Sequence, residues 1–196
     1  AKINYDCKPS LISIVKDVRK QDFKGPLLLR FPHITEKQIN TLYNTFNASI
    51  REYDYKGTFS AVFPLKVNQL PNFIHPLINC GKIFNYGLEA GSKAELVIAM
   101  TYNNIGAPIT VNGFKDKEMI HLCFIAKNMG HNITIIIEGL NELEMIIEVL
   151  NETKLICPNI GLRVRLHSGG SGMWAKSGGI NSKFGLTSTE ILEAFE

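Results

Sequence analysis

The most constraining feature of this sequence is a repeated alternation of short apolar runs typical of strands with longer amphipathic runs typical of helices. A polar residue closes five of the strand-like runs, and these residues are Lys66, Glu89, Asn112, Glu138 and Arg165. Successive members of this set are 23, 23, 26 and 27 residues apart. Such alternation predicts a parallel sheet with helical crossovers. Near-equal units that each end in a polar group favour a (β/α) barrel, whose active site lies at the carboxyl ends of its strands.

A doubly wound open sheet is the competing α/β fold. No G-x-G-x-x-G motif follows the first predicted strand, and ionisable groups end nearly every strand rather than those at one switch point. The barrel is therefore the favoured interpretation. About five units occupy residues 58–196, whereas a closed barrel has eight. We expect a partial (β/α)8 TIM-type barrel over 58–196, preceded by an N-terminal extension, 1–57, with one short strand and one helix.

The element boundaries follow from the same pattern. Strands are predicted over 26–31, 58–67, 84–88, 108–112, 132–138 and 161–166. Helices are predicted over 35–53, 71–80, 92–103, 115–129 and 141–152, with a last one from 187. Four helices are predicted to begin at a capping box, in which Ser, Thr or Asn precedes Glu or Gln by three residues. The four pairs are Thr35 with Gln38, Ser92 with Glu95, Asn141 with Glu144, and Thr187 with Glu190.

Composition excludes several classes of protein. Hydrophobic residues make up 45% of the 196 residues and charged residues 20%, which is ordinary for a globular protein. The net charge of +3 indicates no nucleic-acid partner. No apolar stretch, including the region 133–137, approaches the ~20 residues that cross a bilayer, so no membrane partner is expected. The scattered cysteines predict buried thiols of a cytosolic protein and no disulfide framework. The scattered histidines predict no protein-built zinc site.

Lys66 is the first candidate for chemistry. In the predicted strand it shares a face with the smaller side chains of Ser60, Val62 and Pro64. That face suits a barrel interior, which would place the lysine near the mouth of the barrel and partly desolvate it. A neutral amine there would attack an aldehyde to form a Schiff base. A solvated lysine just past the end of a strand is the alternative.

Three further ionisable residues follow predicted strands. Glu89 would accept a hydrogen bond from a cofactor or balance a cation such as Lys66, and an exposed loop acid is the alternative. Arg163 and Arg165 point to the same side of the fifth strand by the period of two. Guanidinium groups inside a barrel need anionic partners, either Glu89 or Glu138 or an anionic ligand. The alternative places one arginine on the outer surface.

A glycine-rich segment, 168–185, follows the fifth predicted strand. Its backbone N–H groups would be suited to cradle a phosphate, although a loop without a ligand has the same composition. The sole tryptophan, Trp174, lies in this segment and outside any core pattern. This position favours an ordered role, such as a lid or a contact with another part of the protein.

Four motifs, in order along the chain, resemble the biosynthetic arginine decarboxylase family. They are FPLKVNQ at 63–69, GLEAGSKAEL at 87–96, NGFKD at 112–116, and SGG at 177–179 continuing to SKFGL at 182–186. Members of that family are pyridoxal-phosphate enzymes with an alanine-racemase-like barrel and a C-terminal β-domain. The resemblance extends from about Phe31 to Leu186 and therefore covers most of the chain.

The resemblance implies a set of site residues and a reaction. Lys66 would be the catalytic lysine that holds pyridoxal phosphate, Glu89 would lie beside this cofactor, and Arg163 or Arg165 would approach its phenolic oxygen. The implied reaction converts L-arginine to agmatine and CO2, in the synthesis of polyamines such as putrescine and spermidine. The family also implies magnesium. The cytoplasmic location is predicted from the scattered cysteines, and a homo-oligomer from the open strand edges of a five-unit barrel, which invite pairing with another chain.

The resemblance also shows where this chain departs from its relatives. In them a His-x-Gly-Ser segment, phosphate-binding glycines and a β-domain with substrate carboxylates and a catalytic cysteine follow the fifth strand. These features would lie beyond Glu196, so we expect the chain alone to be inactive, with the β-domain absent from it. Three rivals stay open. The first is a pyridoxal-phosphate decarboxylase acting on ornithine, lysine or diaminopimelate, and the second is a non-enzymatic barrel that binds the cofactor. A short βα domain without a ligand is a third.

Overall fold

A computed structural model describes residues 10–166, 182 and 184–195. The strands are β1 (Val62–Pro64), β2 (Gly87–Ala90), β3 (Pro108–Val111), β4 (Asn132–Ile137) and β5 (Asn159–Leu162). The α-helices are α1 (Leu11–Lys20), α2 (Pro32–Glu52), α3 (Pro71–Gly81), α4 (Lys93–Tyr102), α5 (Lys117–Asn128), α6 (Leu140–Thr153) and α7 (Ser188–Glu193). Two short 3₁₀ turns lie at Leu65–Val67 and Lys82–Phe84.

The chain divides into two compact units, Ala1–Phe31 and Pro32–Glu196. The first contains α1, which begins where the Ser10 side chain accepts the Ser13 N–H at 3.1 Å. The second contains α2 and the whole sheet. The boundary at residue 57 stays a prediction.

The predicted content of the N-terminal extension is wrong in two respects. Residues 26–31 form no strand, and two helices rather than one precede β1. Pro26 and Pro32 bracket that segment and cannot donate to a sheet, which disfavours a strand there. Pro32 instead begins α2, since proline is favoured in the first turn of a helix. The helix therefore starts before Thr35, which lies inside it and does not cap it.

The five strands form one parallel sheet in the sequential order β1-β2-β3-β4-β5. Pro64 pairs with Glu89, and Glu89 pairs with Thr110. This order is that of successive units of a (β/α) barrel and excludes the doubly wound alternative, in which the strand order reverses. The prediction of a partial barrel with five parallel units is confirmed.

The core lies between the sheet and the helices. Ile133, Ile135 and Ile137 of β4 are fully buried, whereas the alternate residues of the same strand are only half-buried. Because successive side chains of a strand point to opposite faces, the helices cover one face of the sheet. The other face includes Thr110 and Ile136 and corresponds to the inside of the barrel.

β1 is much shorter than the predicted strand 58–67. Pro64 has no N–H to continue the ladder, and the chain turns into the 3₁₀ turn Leu65–Val67, in which Leu65 is fully buried. Lys66 lies on this turn and not on the strand, and its side chain is exposed. The predicted alternation therefore stops before Lys66, and the expected partial desolvation of its amine is wrong.

β2 and β5 are displaced from their predicted positions. Asn85 has a left-handed φ of 54°, and β2 begins after it, so that Glu89 lies within the strand and not beyond it. β5 ends early because Val164 pairs with Leu186. Arg163 directly follows β5 as a result. By contrast, α3, β3 and β4 lie within one residue of their predicted bounds.

The capping predictions have mixed outcomes. Thr187 and Glu190 form the complete capping box of α7. Ser92 caps α4 by accepting the Glu95 N–H at 3.3 Å. The capping box is incomplete, because the Glu95 carboxylate accepts hydrogen bonds from Gln69 and the Gly91 N–H instead. The prediction for Asn141 is wrong, because α6 begins after Gly139 and has no side-chain cap.

Two statements on composition can be compared with the described residues. Cys80, Cys123 and Cys157 are free thiols there, but only Cys123 is buried as predicted, and Cys80 and Cys157 are partly exposed. Cys7 lies outside the described residues. Within the same part of the chain, no helix combines the length and the hydropathy needed to cross a membrane.

Candidate active site

A cavity of about 660 Å³ opens at the carboxyl ends of the strands. It is lined by Lys66, Glu89, Gly91, Thr110, Asn112, Gly113, Ile136, Arg163 and Phe184. This volume lies within the ~300–1,000 Å³ typical of sites for small molecules. Three of the four predicted site residues thus meet at one cavity. The fourth, Arg165, does not line it.

Lys66 reaches the cavity from the turn that follows β1. The side chain is exposed, while its neighbour Leu65 is fully buried and fixes the start of the turn. Its amine makes no hydrogen bond or ion pair with another described residue. An amine without such a partner is available to a ligand.

Glu89 lies on β2 with 6% of its surface exposed. Its Oε1 atom accepts a hydrogen bond from Asn112 Nδ2 at 3.1 Å. Asn112 directly follows β3, so this bond joins the ends of two neighbouring strands. The carboxylate is thereby held at the wall of the cavity.

Arg163 is paired with Glu138. Its NH1 atom donates to both carboxylate oxygens, at 3.1 and 3.2 Å. The Glu138 side chain is fully buried, whereas that of Arg163 is 41% exposed. The guanidinium carbon also lies 5.1 Å from the centre of the Phe184 ring, within the range of a cation–π contact. Of the two acids that the sequence offered as partners for an arginine, Glu138 is the one used.

Arg165 has a different environment. Its Nε atom donates to the Gly185 carbonyl oxygen at 3.1 Å. Its N–H and the N–H of Leu186 also take part in the pairing of Val164 with Leu186. In a regular strand, Arg163 and Arg165 would point to the same side. Here the strand ends at Leu162, and the pairing of Val164 with Leu186 replaces regular strand geometry at these residues. The structure therefore brings Arg163, and not Arg165, to the cavity.

A buried ion pair that the sequence reasoning missed lies behind Glu138. Lys115 Nζ is 2.9 Å from Glu142 Oε2, and the two side chains are 0% and 1% exposed. Glu142 also accepts the backbone N–H groups of Lys115 and Glu138, each at 2.9 Å. Lys115 Nζ donates to the Gly113 carbonyl, and the Gly113 N–H donates to Glu138 Oε1 at 3.0 Å. The only available signal was the NGFKD motif, whose lysine was assigned to a helix.

At the rim of the cavity, the Glu95 carboxylate joins the loop after β1 to the loop after β2. Glu95 Oε1 accepts a hydrogen bond from Gln69 Nε2 at 2.8 Å, and Glu95 Oε2 accepts the Gly91 N–H at 2.7 Å. Gln69 lies in the loop after β1, and Gly91 directly follows β2. The sequence reasoning treated Glu95 only as a capping residue.

The arrangement has a definite chemical character. An amine without a protein partner can bond covalently to a carbonyl group. A carboxylate favours a cationic group, and a guanidinium favours an anionic oxygen. Among the described residues, no group of three or more His, Cys, Asp or Glu side chains is placed to hold a metal ion. Most of the predicted phosphate cradle, with Trp174, lies outside the described residues.

Residues 37–196 match the sequence profile described as "Pyridoxal-dependent decarboxylase, pyridoxal binding domain". The chain is 40% identical over 197 aligned residues to a biosynthetic arginine decarboxylase of Tolumonas auensis, covering 100% of this chain and 31% of the relative. It is 41% identical to the protein of the same name from Bacteroides thetaiotaomicron, covering 95% of this chain and 30% of the relative. The chain therefore spans about a third of the length of these relatives.

Two solved structures place the fold among known proteins. The crystal structure of the biosynthetic arginine decarboxylase of Campylobacter jejuni superposes with a TM-score of 0.88 at 59% identity, covering 98% of this chain and 31% of that chain. Diaminopimelate decarboxylase of Helicobacter pylori, complexed with L-lysine, superposes with a TM-score of 0.65. Its identity is 19%, with 92% of this chain and 42% of that chain covered. At that identity the second likeness concerns the fold alone.

Proposed function

The chain belongs to the pyridoxal-dependent decarboxylases, through their pyridoxal-binding domain, and we propose that it supplies the cofactor lysine of an enzyme that converts L-arginine to agmatine and CO2. The observation that carries this proposal is the meeting of Lys66, Glu89 and Arg163 at one cavity. These groups come from three separate strand ends, which the fold of a barrel brings to one edge of the sheet.

The described residues fit pyridoxal phosphate by size and by chemistry. The cavity of about 660 Å³ is large enough for a ligand of this class. The cofactor carries an aldehyde, for which the amine of Lys66, unpaired among the described residues, is the partner. When bound, pyridoxal phosphate supplies an electron sink that stabilises the carbanion left by the departing carboxylate.

Each of the three residues has a proposed role. Lys66 binds the cofactor covalently through its amine. Glu89 presents a carboxylate, held by Asn112, to a cationic nitrogen. Arg163 engages Glu138 through NH1, and its remaining N–H groups would be available to an anionic oxygen of the cofactor. Arg165, which the sequence left as an equal candidate, is not assigned a role at the cofactor.

The proposal of arginine as the substrate is supported by the relatives at about 40% identity, which are named biosynthetic arginine decarboxylases. The full-length gene product should release agmatine and CO2 from L-arginine, and should not turn over ornithine, lysine or diaminopimelate. Turnover of one of those amino acids in place of arginine would assign the protein to the rival decarboxylases. Cofactor binding without any turnover would instead point to a barrel that only carries pyridoxal phosphate.

The 196-residue chain alone is proposed to be inactive. β1 and β5 each have only one neighbouring strand within the described sheet, so the barrel is open there. Addition of pyridoxal phosphate and arginine to this chain should yield no agmatine, and sustained turnover would contradict the proposal.

Three further expectations stay predictions. Cytoplasmic location rests on the scattered cysteines, and homo-oligomeric assembly rests on the open edges of the sheet at β1 and β5. The expectation of magnesium rests on the family resemblance, and the described residues present no cluster of ligands to which the ion can be assigned. No step of the proposed chemistry is routed through it.

A further inference from the structure

Glu95 and Gln69 form a link at the rim of the cavity that the proposed chemistry does not use. We propose that Glu95, through Gln69, is a positioning residue that holds the turn carrying Lys66 in place. The inference rests on the proposed role of Lys66 as the cofactor lysine. It concerns where the amine lies, and not the reactivity of the amine.

The turn that carries Lys66 needs such support. β1 contains only three residues and pairs with β2 alone among the described strands. Burial of Leu65 fixes the chain just before Lys66. After Lys66 the chain is exposed, with Val67 67% and Leu70 52% accessible, so apolar packing does little to hold it. Among the described residues, the side-chain hydrogen bond from Gln69 Nε2 to Glu95 ties this part of the loop to α4.

Glu95 is built for this task and not for capping its own helix. It is the third residue of α4, yet only 8% of its surface is exposed. Its two oxygens accept bonds from two different loops, from Gln69 at 2.8 Å and from the Gly91 N–H at 2.7 Å. Gly91 lies two residues after Glu89 and lines the cavity. One carboxylate therefore fixes the lysine turn relative to the end of the strand that holds Glu89.

The same geometry recurs two units later. Glu142 is the third residue of α6 and accepts the N–H of Glu138, just before the cap residue Gly139, as well as the N–H of Lys115 from the preceding βα loop. Glu190, the third residue of α7, instead bonds to its own cap residue Thr187. Helices α4 and α6 thus use this acid to join neighbouring loops, whereas α7 uses it to cap its own first turn.

The test exchanges the hydrogen-bond donor, Gln69, and the acceptor, Glu95, by substitution in the full-length gene product. Gln69→Glu places two carboxylates against each other and breaks the link. Glu95→Gln keeps it, because the Gln69 amide can turn to accept from the new amide while the new carbonyl accepts the Gly91 N–H. The double variant Gln69→Glu with Glu95→Gln restores one donor and one acceptor. Gln69→Ala removes the donor without adding charge.

The readout is the dissociation constant of pyridoxal phosphate, measured from the absorbance of the bound cofactor. Gln69→Glu should raise this constant at least about tenfold, since a hydrogen bond to a charged group is lost and repulsion is added. Gln69→Ala should raise it several-fold. Glu95→Gln and the double variant should stay within about threefold of the wild type. Glu118→Gln, which changes an exposed carboxylate in the first turn of α5, is the matched control and should have no effect.

The outcomes separate this inference from the proposed function. If borohydride reduction of the wild type places the cofactor on Lys66 but both Gln69 variants bind it normally, the positioning role is wrong and the cofactor lysine stands. Failure of the double variant to recover affinity also overturns the positioning role. If the wild type carries the cofactor on another lysine, the proposed function itself fails.

Discussion

Lys115 Nζ lies 2.9 Å from Glu142 Oε2. Both side chains are shielded from water, since the lysine is 0% exposed and the glutamate 1%. A lysine and a glutamate are rarely buried to this extent unless they are paired. The pair ties the loop after β3 to the end of β4, because Glu142 also holds the N–H groups of Lys115 and Glu138. Glu138 in turn fixes Arg163 at the cavity. The buried pair therefore stabilises the wall on which the guanidinium depends.

Removing one partner of this pair should be far more costly than removing the charge of both. Glu142→Gln leaves the Lys115 cation buried without its counter-ion and should lower the free energy of unfolding by about 3–5 kcal/mol. Lys115→Met combined with Glu142→Gln should recover part of that loss, since no charge is then left unpaired. Urea denaturation of the full-length gene product checks this order. A double variant less stable than Glu142→Gln alone would contradict it.

The two arginines after β5 should respond differently to the same change. Arg163→Lys loses the planar group that meets Glu138 and Phe184, and should weaken binding of pyridoxal phosphate by about tenfold or more. Arg165→Lys should have little effect, because Arg165 Nε binds the Gly185 carbonyl and does not line the cavity. The dissociation constant of the cofactor is the measurement. A larger effect at position 165 would reverse the assignment.

Much of the fold was predictable because it follows from local patterns. β3 is a short run bounded by turn residues, β4 is rich in β-branched residues, and α7 has a complete capping box, so their positions depend on a few neighbouring residues. β5 was misplaced because the pairing of Val164 with Leu186 is set by a segment some twenty residues later in the chain. No local pattern reports such a contact.

The candidate site divides in the same way. The meeting of Lys66, Glu89 and an arginine was predictable, because the carboxyl ends of parallel strands share one edge of a sheet. The choice between Arg163 and Arg165 was not, since a period of two places both on one side. The links made by Glu95 and Glu142 were not predictable either. Glu95 binds Gln69, 26 positions away, and Glu142 binds Lys115, 27 positions away, so that both contacts depend on how the loops fold.

The Cys123 thiol should be inert in the folded protein. It is fully buried, and desolvation by burial raises its pKa to about 12. At pH 8 only about one thiol in ten thousand would be ionised, and the thiolate is the reactive form. Iodoacetamide should therefore label the half-buried Cys157 but not Cys123 in the native protein, and should label Cys123 after denaturation. Peptide mass spectrometry measures both, and rapid native labelling of Cys123 would contradict the packing described for α5.

His131 should make the protein sensitive to mild acid. The side chain is buried at the start of β4, its Nδ1 atom has no hydrogen-bond partner among the described residues, and burial lowers its pKa. The folded state therefore favours the neutral ring. Its contribution to stability is complete above the unfolded pKa of ~6.5 and is lost as the pH falls through the lower pKa of the folded state. Thermal midpoints from pH 7.5 to 5 should fall more steeply in the wild type than in His131→Gln, and parallel curves would contradict this.

The most direct test of the account is to locate the covalently bound cofactor. The full-length gene product is loaded with pyridoxal phosphate, reduced with borohydride, digested and analysed by mass spectrometry, with Lys66→Ala and Lys82→Ala as matched variants. Lys82 lies in a 3₁₀ turn away from the cavity lining. The account predicts a pyridoxyl adduct on the peptide that contains Lys66, retained in Lys82→Ala and absent from Lys66→Ala. An adduct on any other lysine of the wild type would contradict it.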